Sequence, residues 1–317
     1  MWHCLELDGL SIGTDASTTP SSARLCYQTK AIEMSSRTNF RKYGWPPLGV
    51  VVVHGGPGAP GCMAPVAREL SGEFGVLEPL QSANSIEGQL EELRDAIVHN
   101  ADPPVVLVGS SWGAMLALLF AARYPRQTGK LILVGSGVFE DSFAEGIQDV
   151  RLDRLDPHER RKAEAVNKEL QAAGKNADKA FARLAVLFAK TDAYDPLTLD
   201  MEILQCQYRV YRSVWGEAQE LRRRGGFLKA ARDIRCPVVA IHGDYDPHPP
   251  AGVEEPLSRC LDDFRFVVLK NCGHLPWIEK QAKESFYAIL REECRMPFCT
   301  MSIEPKKPCR KKDHTDA

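Results

Sequence analysis

Four short runs of Val, Ile and Leu, at Val50–Val53, Val105–Val108, Leu131–Val134 and Val238–Ile241, constrain this chain more than any other feature. A fifth run, Phe264–Leu269, resembles them. Each is bounded by turn residues, and runs this short and this continuously apolar suit strands buried on both faces, as in a parallel sheet covered by helices. Between them the periodicity becomes helical, at Ile86–His99, Ala114–Tyr124 and Glu279–Glu293. Strands alternating with helices imply right-handed crossovers and a doubly wound, mostly parallel α/β sheet.

About a hundred residues separate the run at Leu131 from the run at Val238, far more than an ordinary connection. The segment reads as helical: Arg151–Gln171 is highly charged, Asp178–Lys190 is amphipathic, and Gln205–Arg224 carries Tyr208, Tyr211 and Trp215 at spacings of three and four. An insertion after a strand's carboxyl end lies over the place where such sheets bind ligands, which makes it a helical cap. The expected organisation is a core of residues 46–137 and 236–294, a cap of 138–235, a weakly structured 1–45 with a strand hint at Arg24–Tyr27, and a basic, disordered tail at 295–317.

Charge and cysteine usage narrow the classes of partner. The 40 basic and 42 acidic residues leave a net charge of −2, so no overall field draws the chain to nucleic acid or to an anionic membrane. The 10 cysteines are scattered and lack zinc-site spacing, so they read as reduced thiols with no metal. Glu6 and Asp8 stand where a secretory leader needs a basic start, and the longest apolar stretch, Met115–Ala122, falls short of the ~20 residues that span a bilayer. The expectation is a cytoplasmic protein acting on a small molecule or short peptide, without membrane or cofactor.

Four motifs carry chemistry. Gly109-Ser110-Ser111-Trp112-Gly113 lies between a buried strand and an apolar helix, the setting of a nucleophile elbow that presents Ser111 at a helix start. His54-Gly55-Gly56-Pro57-Gly58 follows the first buried run, and its glycines let backbone N–H groups approach a carbonyl oxygen. Gly56 and Trp112 are the expected oxyanion donors, with Gly55 as alternate, and His54 is expected to order the loop. After Val238–Ile241 comes His242-Gly243-Asp244-Tyr245-Asp246-Pro247, where either aspartate can orient a histidine. Glu140 and Asp141, after Leu131, occupy the other place for a triad acid. Asn271-Cys272-Gly273-His274 then supplies a general base in the chain order Ser, Asp, His.

With these motifs, the chain resembles the α/β-hydrolase superfamily from Val50 to Leu290, and His54–Gly58 with Gly109–Gly113 look most like its proline iminopeptidase branch. The resemblance implies an α/β-hydrolase fold and a triad of Ser111, Asp246 and His274. It also implies an acyl-enzyme reaction on an ester or amide, and in that branch a cap whose acids hold a substrate amine. Two departures separate the chain from the branch: Gly75-Val76-Leu77-Glu78-Pro79-Leu80-Gln81 replaces its Asp-Gln-Arg-Gly stretch, and Ser110 stands where it carries Gly. In the cap, Glu140, Asp141, Asp192, Asp195 and Glu217 are candidate amine ligands, and Tyr208, Tyr211 and Trp215 a candidate acyl wall. A noncatalytic ligand-binding relative is the alternative of a different class.

Overall fold

The computed structural model describes residues 39–172, 176–199 and 202–295. The strand hint at Arg24–Tyr27 and nearly all of the basic tail lie outside them. Among the described residues seven strands form one sheet: β1 Phe40–Tyr43, β2 Val50–Val53, β3 Val76–Pro79, β4 Val105–Ser110, β5 Thr128–Val134, β6 Val238–Gly243 and β7 Phe264–Leu269. Their spatial order is β1-β3-β2-β4-β5-β6-β7; β1 runs antiparallel to β3 and every other pairing is parallel. The doubly wound sheet expected from the apolar runs is thus the one observed. The winding reverses direction between β2 and β4, so the loops leaving these two neighbours open a crevice at their carboxyl ends.

Among the described residues ten helices accompany the sheet: α1 Ala64–Leu70, α2 Ile86–Asn100, α3 Trp112–Arg123, α4 Ile147–Asp153, α5 Pro157–Gln171, α6 Ala177–Asp192, α7 Tyr208–Arg223, α8 Gly226–Ala231, α9 Ala251–Ser258 and α10 Lys283–Arg295. Alternate strand residues face opposite layers. Val51, Val53, Leu107, Leu131 and Leu133 pack with α2, α3, α8 and α9, while Val50, Val52, Val106, Val108 and Ile132 pack with α1 and α10. None of the described helices is long and apolar enough to cross a membrane.

Helices α4 to α8 fill the connection between β5 and β6. Those at α5 and α6 have a small core of their own, built on Leu155, Ala163, Val166, Phe181 and Leu184, whereas Val210 and Val214 of α7 join the sheet-side core. The highly charged helical stretch from Arg151 to Gln171 takes in the end of α4 and all of α5. The first ends at Asp153; Asp156 caps the second by accepting the His158 and Glu159 N–H groups, and Pro157 is fixed at its first turn. Among the described residues, Cys62, Cys206, Cys236, Cys260, Cys272 and Cys294 are free thiols.

Candidate active site

Ser111 occupies the turn from β4 into α3 with φ 53° and ψ −119°. A non-glycine residue held in this region costs of order 1–3 kcal/mol, so its surroundings must impose it. Ser111 N–H donates to Val134 O at 2.9 Å, which ties the turn to β5. Two residues on, a Cβ at Gly113 would lie 2.3 Å from Val53 O, so only glycine lets α3 begin this close to the end of β2. The Trp112 indole donates to Gln89 Oε1 at 2.8 Å and locks α3 to α2.

The glycine loop after β2 is fastened by His54. This buried imidazole donates Nδ1–H to Gly55 O at 2.8 Å and accepts the Gln81 N–H on Nε2 at 3.1 Å. Burial lowers its pKa to about 4, so it stays neutral and joins the loop to the end of β3. Gly56 has φ 53°. The N–H of Gly55 is donated to Cys62 Sγ at 3.3 Å, whereas that of Gly56 has no acceptor among the described residues. The Trp112 N–H opens α3 and has no partner within the helix.

Asp246 follows β6 and is fully engaged. Its Oδ2 accepts His274 Nδ1–H at 2.7 Å, and its Oδ1 accepts both the His248 Nδ1–H at 2.8 Å and the His248 backbone N–H at 2.9 Å. His242 Nε2 lies 3.3 Å from Oδ2 and donates to His248 O at 2.9 Å. Burial pushes the Asp246 carboxyl up, but His274, His248 and His242 outweigh it and hold the group well below the usual carboxylate range. Burial is likewise the largest influence on His274 and draws it down, yet the charge and hydrogen bond of Asp246, with the charge of Asp192, leave its pKa raised. Burial dominates at His248 and His242, whose pKa values fall.

With Nδ1–H held by Asp246, His274 keeps Nε2 as the ring nitrogen that can accept a proton. The loop carrying it is pinned twice: His274 N–H donates to Asp192 O at 2.7 Å, and Gly273 N–H to the buried Glu279 Oε1 at 2.8 Å. Glu279 also accepts the Tyr194 and Asp195 N–H groups at 2.8 Å each. Asp192 in turn receives Nε and Nη2 of Arg151 at 2.7 and 2.6 Å. Arg151, Asp192 and Glu279 are therefore structural partners of the His274 loop. No motif announced them in these roles, because α4, α6 and the final loop meet only in the folded chain.

Ser111 and His274 line one cavity of about 600 Å³, together with Gly55, Gly56, His248 and the inner faces of α4 to α7. Tyr208, Tyr211 and Trp215 form part of its wall, with the Tyr211 and Trp215 rings stacked at 12° and Phe181 lying 4.4 Å from Tyr211. Glu140 is not among its lining residues; it pairs with Arg259 at the surface. The other candidate amine ligands also have partners: Asp141 has Arg222, Asp195 has Gln281, and Glu217 accepts the Ile86 N–H. Asp246, His248 and His274 bring ligand-type atoms within 4.8 Å of one another. Both imidazole Nδ1 protons already sit on the carboxylate, so a metal there would have to displace the hydrogen bonds that orient the base.

A serine on a strained turn, at the carboxyl edge of a doubly wound sheet and followed in the chain by an acid and a histidine, defines the α/β hydrolases as a class. This chain belongs to the alpha/beta hydrolase family, whose family model matches residues 50–285. It is 26% identical over 206 residues to the pimeloyl-[acyl-carrier protein] methyl ester esterase of Aromatoleum aromaticum, covering 60% of this chain and 74% of that one. Among solved structures it is similar to VinJ, with TM-score 0.59, 17% identity and coverage of 84% and 98% of the two chains. The proline iminopeptidase of Mycobacterium smegmatis is also similar, with TM-score 0.53, 18% identity and coverage of 81% and 97%. At these identities the structural likenesses speak for the fold.

Proposed function

We propose that this protein is a serine ester hydrolase that works through an acyl-enzyme, with Ser111 as nucleophile, His274 as base and Asp246 as the acid that orients it. The observation that carries the reading is the 2.7 Å hydrogen bond from His274 Nδ1 to Asp246, beside a strained Ser111 in the same cavity. His274 Nε2 takes the Ser111 proton as Oγ attacks the ester carbonyl, and the buried Asp246 charge stabilises the imidazolium so formed. The N–H groups of Gly56 and Trp112 receive the developing oxyanion; Gly55 is a poorer donor because its N–H is held by Cys62. His274 then protonates the leaving alcohol, and water activated by the same imidazole releases the acid.

An ester is favoured over an amino-terminal peptide by the cavity and by the esterase relative. Asp192 is the one carboxylate among the lining residues, and Arg151 occupies both its oxygens. A substrate ammonium has no free acid to meet there, whereas an apolar acyl chain has the aromatic wall of α7.

Labelling with a fluorophosphonate and turnover of p-nitrophenyl acyl esters test the reading together. The wild-type protein is expected to label stoichiometrically and to hydrolyse the esters, and Ser111→Ala to lose both. Undiminished labelling in Ser111→Ala removes the nucleophile assignment, and failure to hydrolyse any ester favours a binding module.

A further inference from the structure

Helix α7 bridges the cleft. Its amino end is fixed above the glycine loop by the Gln207 N–H bond to Gly58 O at 2.8 Å, and its carboxyl end by Arg222 Nε on Asp141 Oδ1 at 2.6 Å, beyond β5. Tyr208, Tyr211, Trp215, Gln219 and Arg222 all line the cavity, at spacings of three and four that place them on one helix face. The wall therefore runs from aromatic to cationic over a helical rise of about 21 Å, at about 1.5 Å per residue.

Arg222 is unusual on that face because its side chain is only 9% exposed, while Asp141, the partner of its Nε, is 47% exposed. Neither Nη group has a hydrogen-bond partner among the described residues. Arg151 differs, with Nε and Nη2 both held by Asp192. A guanidinium whose terminal amino groups have no acceptor within the protein, and which lines both this cavity and an open cleft beside Asp141, Glu145 and Glu220, can take an acceptor from a bound molecule, and its planar fork matches a carboxylate. Of the two lining arginines, Arg151 meets both oxygens of Asp192, whereas Arg222 meets Asp141 through Nε alone.

We infer that Arg222 is a specificity-determining residue that receives the far carboxylate of an acyl chain laid along α7, so that the preferred substrates are half-esters of dicarboxylic acids. The inference rests on the serine esterase reading above. The scissile ester sits at Ser111, the methylene chain covers Tyr211 and Trp215, and the free acid reaches Arg222.

The test compares p-nitrophenyl half-esters of the straight-chain diacids from adipic to sebacic acid with their methyl-capped counterparts. At the best chain length, kcat/KM for the half-ester is expected to exceed that for the capped ester by about tenfold or more, as one charge-assisted contact allows. Arg222→Gln should bring this ratio close to unity. Asp141→Asn breaks the same ion pair but keeps the guanidinium, and should preserve the ratio. A wild-type ratio at or below unity at every length overturns the inference, as does an unchanged ratio in Arg222→Gln. Calorimetric binding of monomethyl and dimethyl suberate to the Ser111→Ala protein separates the two readings. Tighter half-ester binding by Ser111→Ala, where the wild-type protein turns over no ester, would sink the esterase reading and leave the anion site standing. Equal binding by an active enzyme would do the reverse.

Discussion

At the level of single residues, Asp246 determines most of the site's electrostatics. One buried carboxylate accepts from His274 and His248 and lies within reach of His242, so its charge is shared among three rings. Only His274 is raised in pKa; the other two stay below the ordinary histidine value because burial outweighs the shared charge. In the mechanism proposed above His274 acts in its neutral form, so kcat/KM should rise with pH through its raised pKa, placing the acid limb above the ordinary value of about 6.5. In Asp246→Asn the attraction that raises the pKa is gone and burial remains. The limb should move to lower pH while the plateau kcat falls by about 10²–10⁴. A pH–rate profile of the two proteins checks both, and a limb that stays in place removes Asp246 as the partner of His274. The residues of this site were legible where a motif sits at a strand end, as Ser111, Asp246 and His274 do. His248 lies in the same turn as Asp246 but among prolines, and nothing in its spacing told that its ring would fold back onto the carboxylate.

Among elements, the strands read from sequence were those with unbroken apolar runs. β3 escaped because two of its four residues are Glu78 and Pro79, which mark a loop in most contexts. In the fold Glu78 is buried against the Tyr43 hydroxyl and Arg41, its pKa pushed up to about 7 by desolvation that those partners only partly offset. β1 was equally illegible, since Phe40, Arg41, Lys42 and Tyr43 pair with β3 at an edge where no continuous apolar run is needed. The inserted helices were visible as periodicity, but their mutual contacts were not. Glu279 shows what this conceals: one buried carboxylate accepts three backbone N–H groups from two separate loops. Glu279→Ala strands all three, and a loss of about 3 kcal/mol or more in unfolding free energy is expected by urea titration, with a lower kcat as the His274 loop loosens. Glu279→Gln, which keeps one acceptor oxygen, should fall between the two.

Across the whole molecule, the sheet carries an ionic fastening at the end of its last helix. Lys130 of β5 is buried and bonded to the buried Glu293 of α10, which also holds Arg265 of β7. A buried pair adds little net stability over an apolar substitute, but removing one partner leaves a charge without water or counterion. Glu293→Ala should therefore cost about 3–5 kcal/mol by denaturant titration, and Lys130→Met distinctly less, since Arg265 remains for Glu293. Equal losses in the two variants would mean that packing, rather than the stranded charge, sets the cost.

The contact between Asp192 and His274 joins two parts of the molecule that descriptions of the fold keep apart. The last residue of α6, which helps roof the cavity, offers its carbonyl to the N–H of the base itself. Roof and loop are thus interlocked through this one hydrogen bond, so the position of α6 and that of His274 are set together. The element that shapes the cavity wall and the loop that carries His274 therefore hold each other in place.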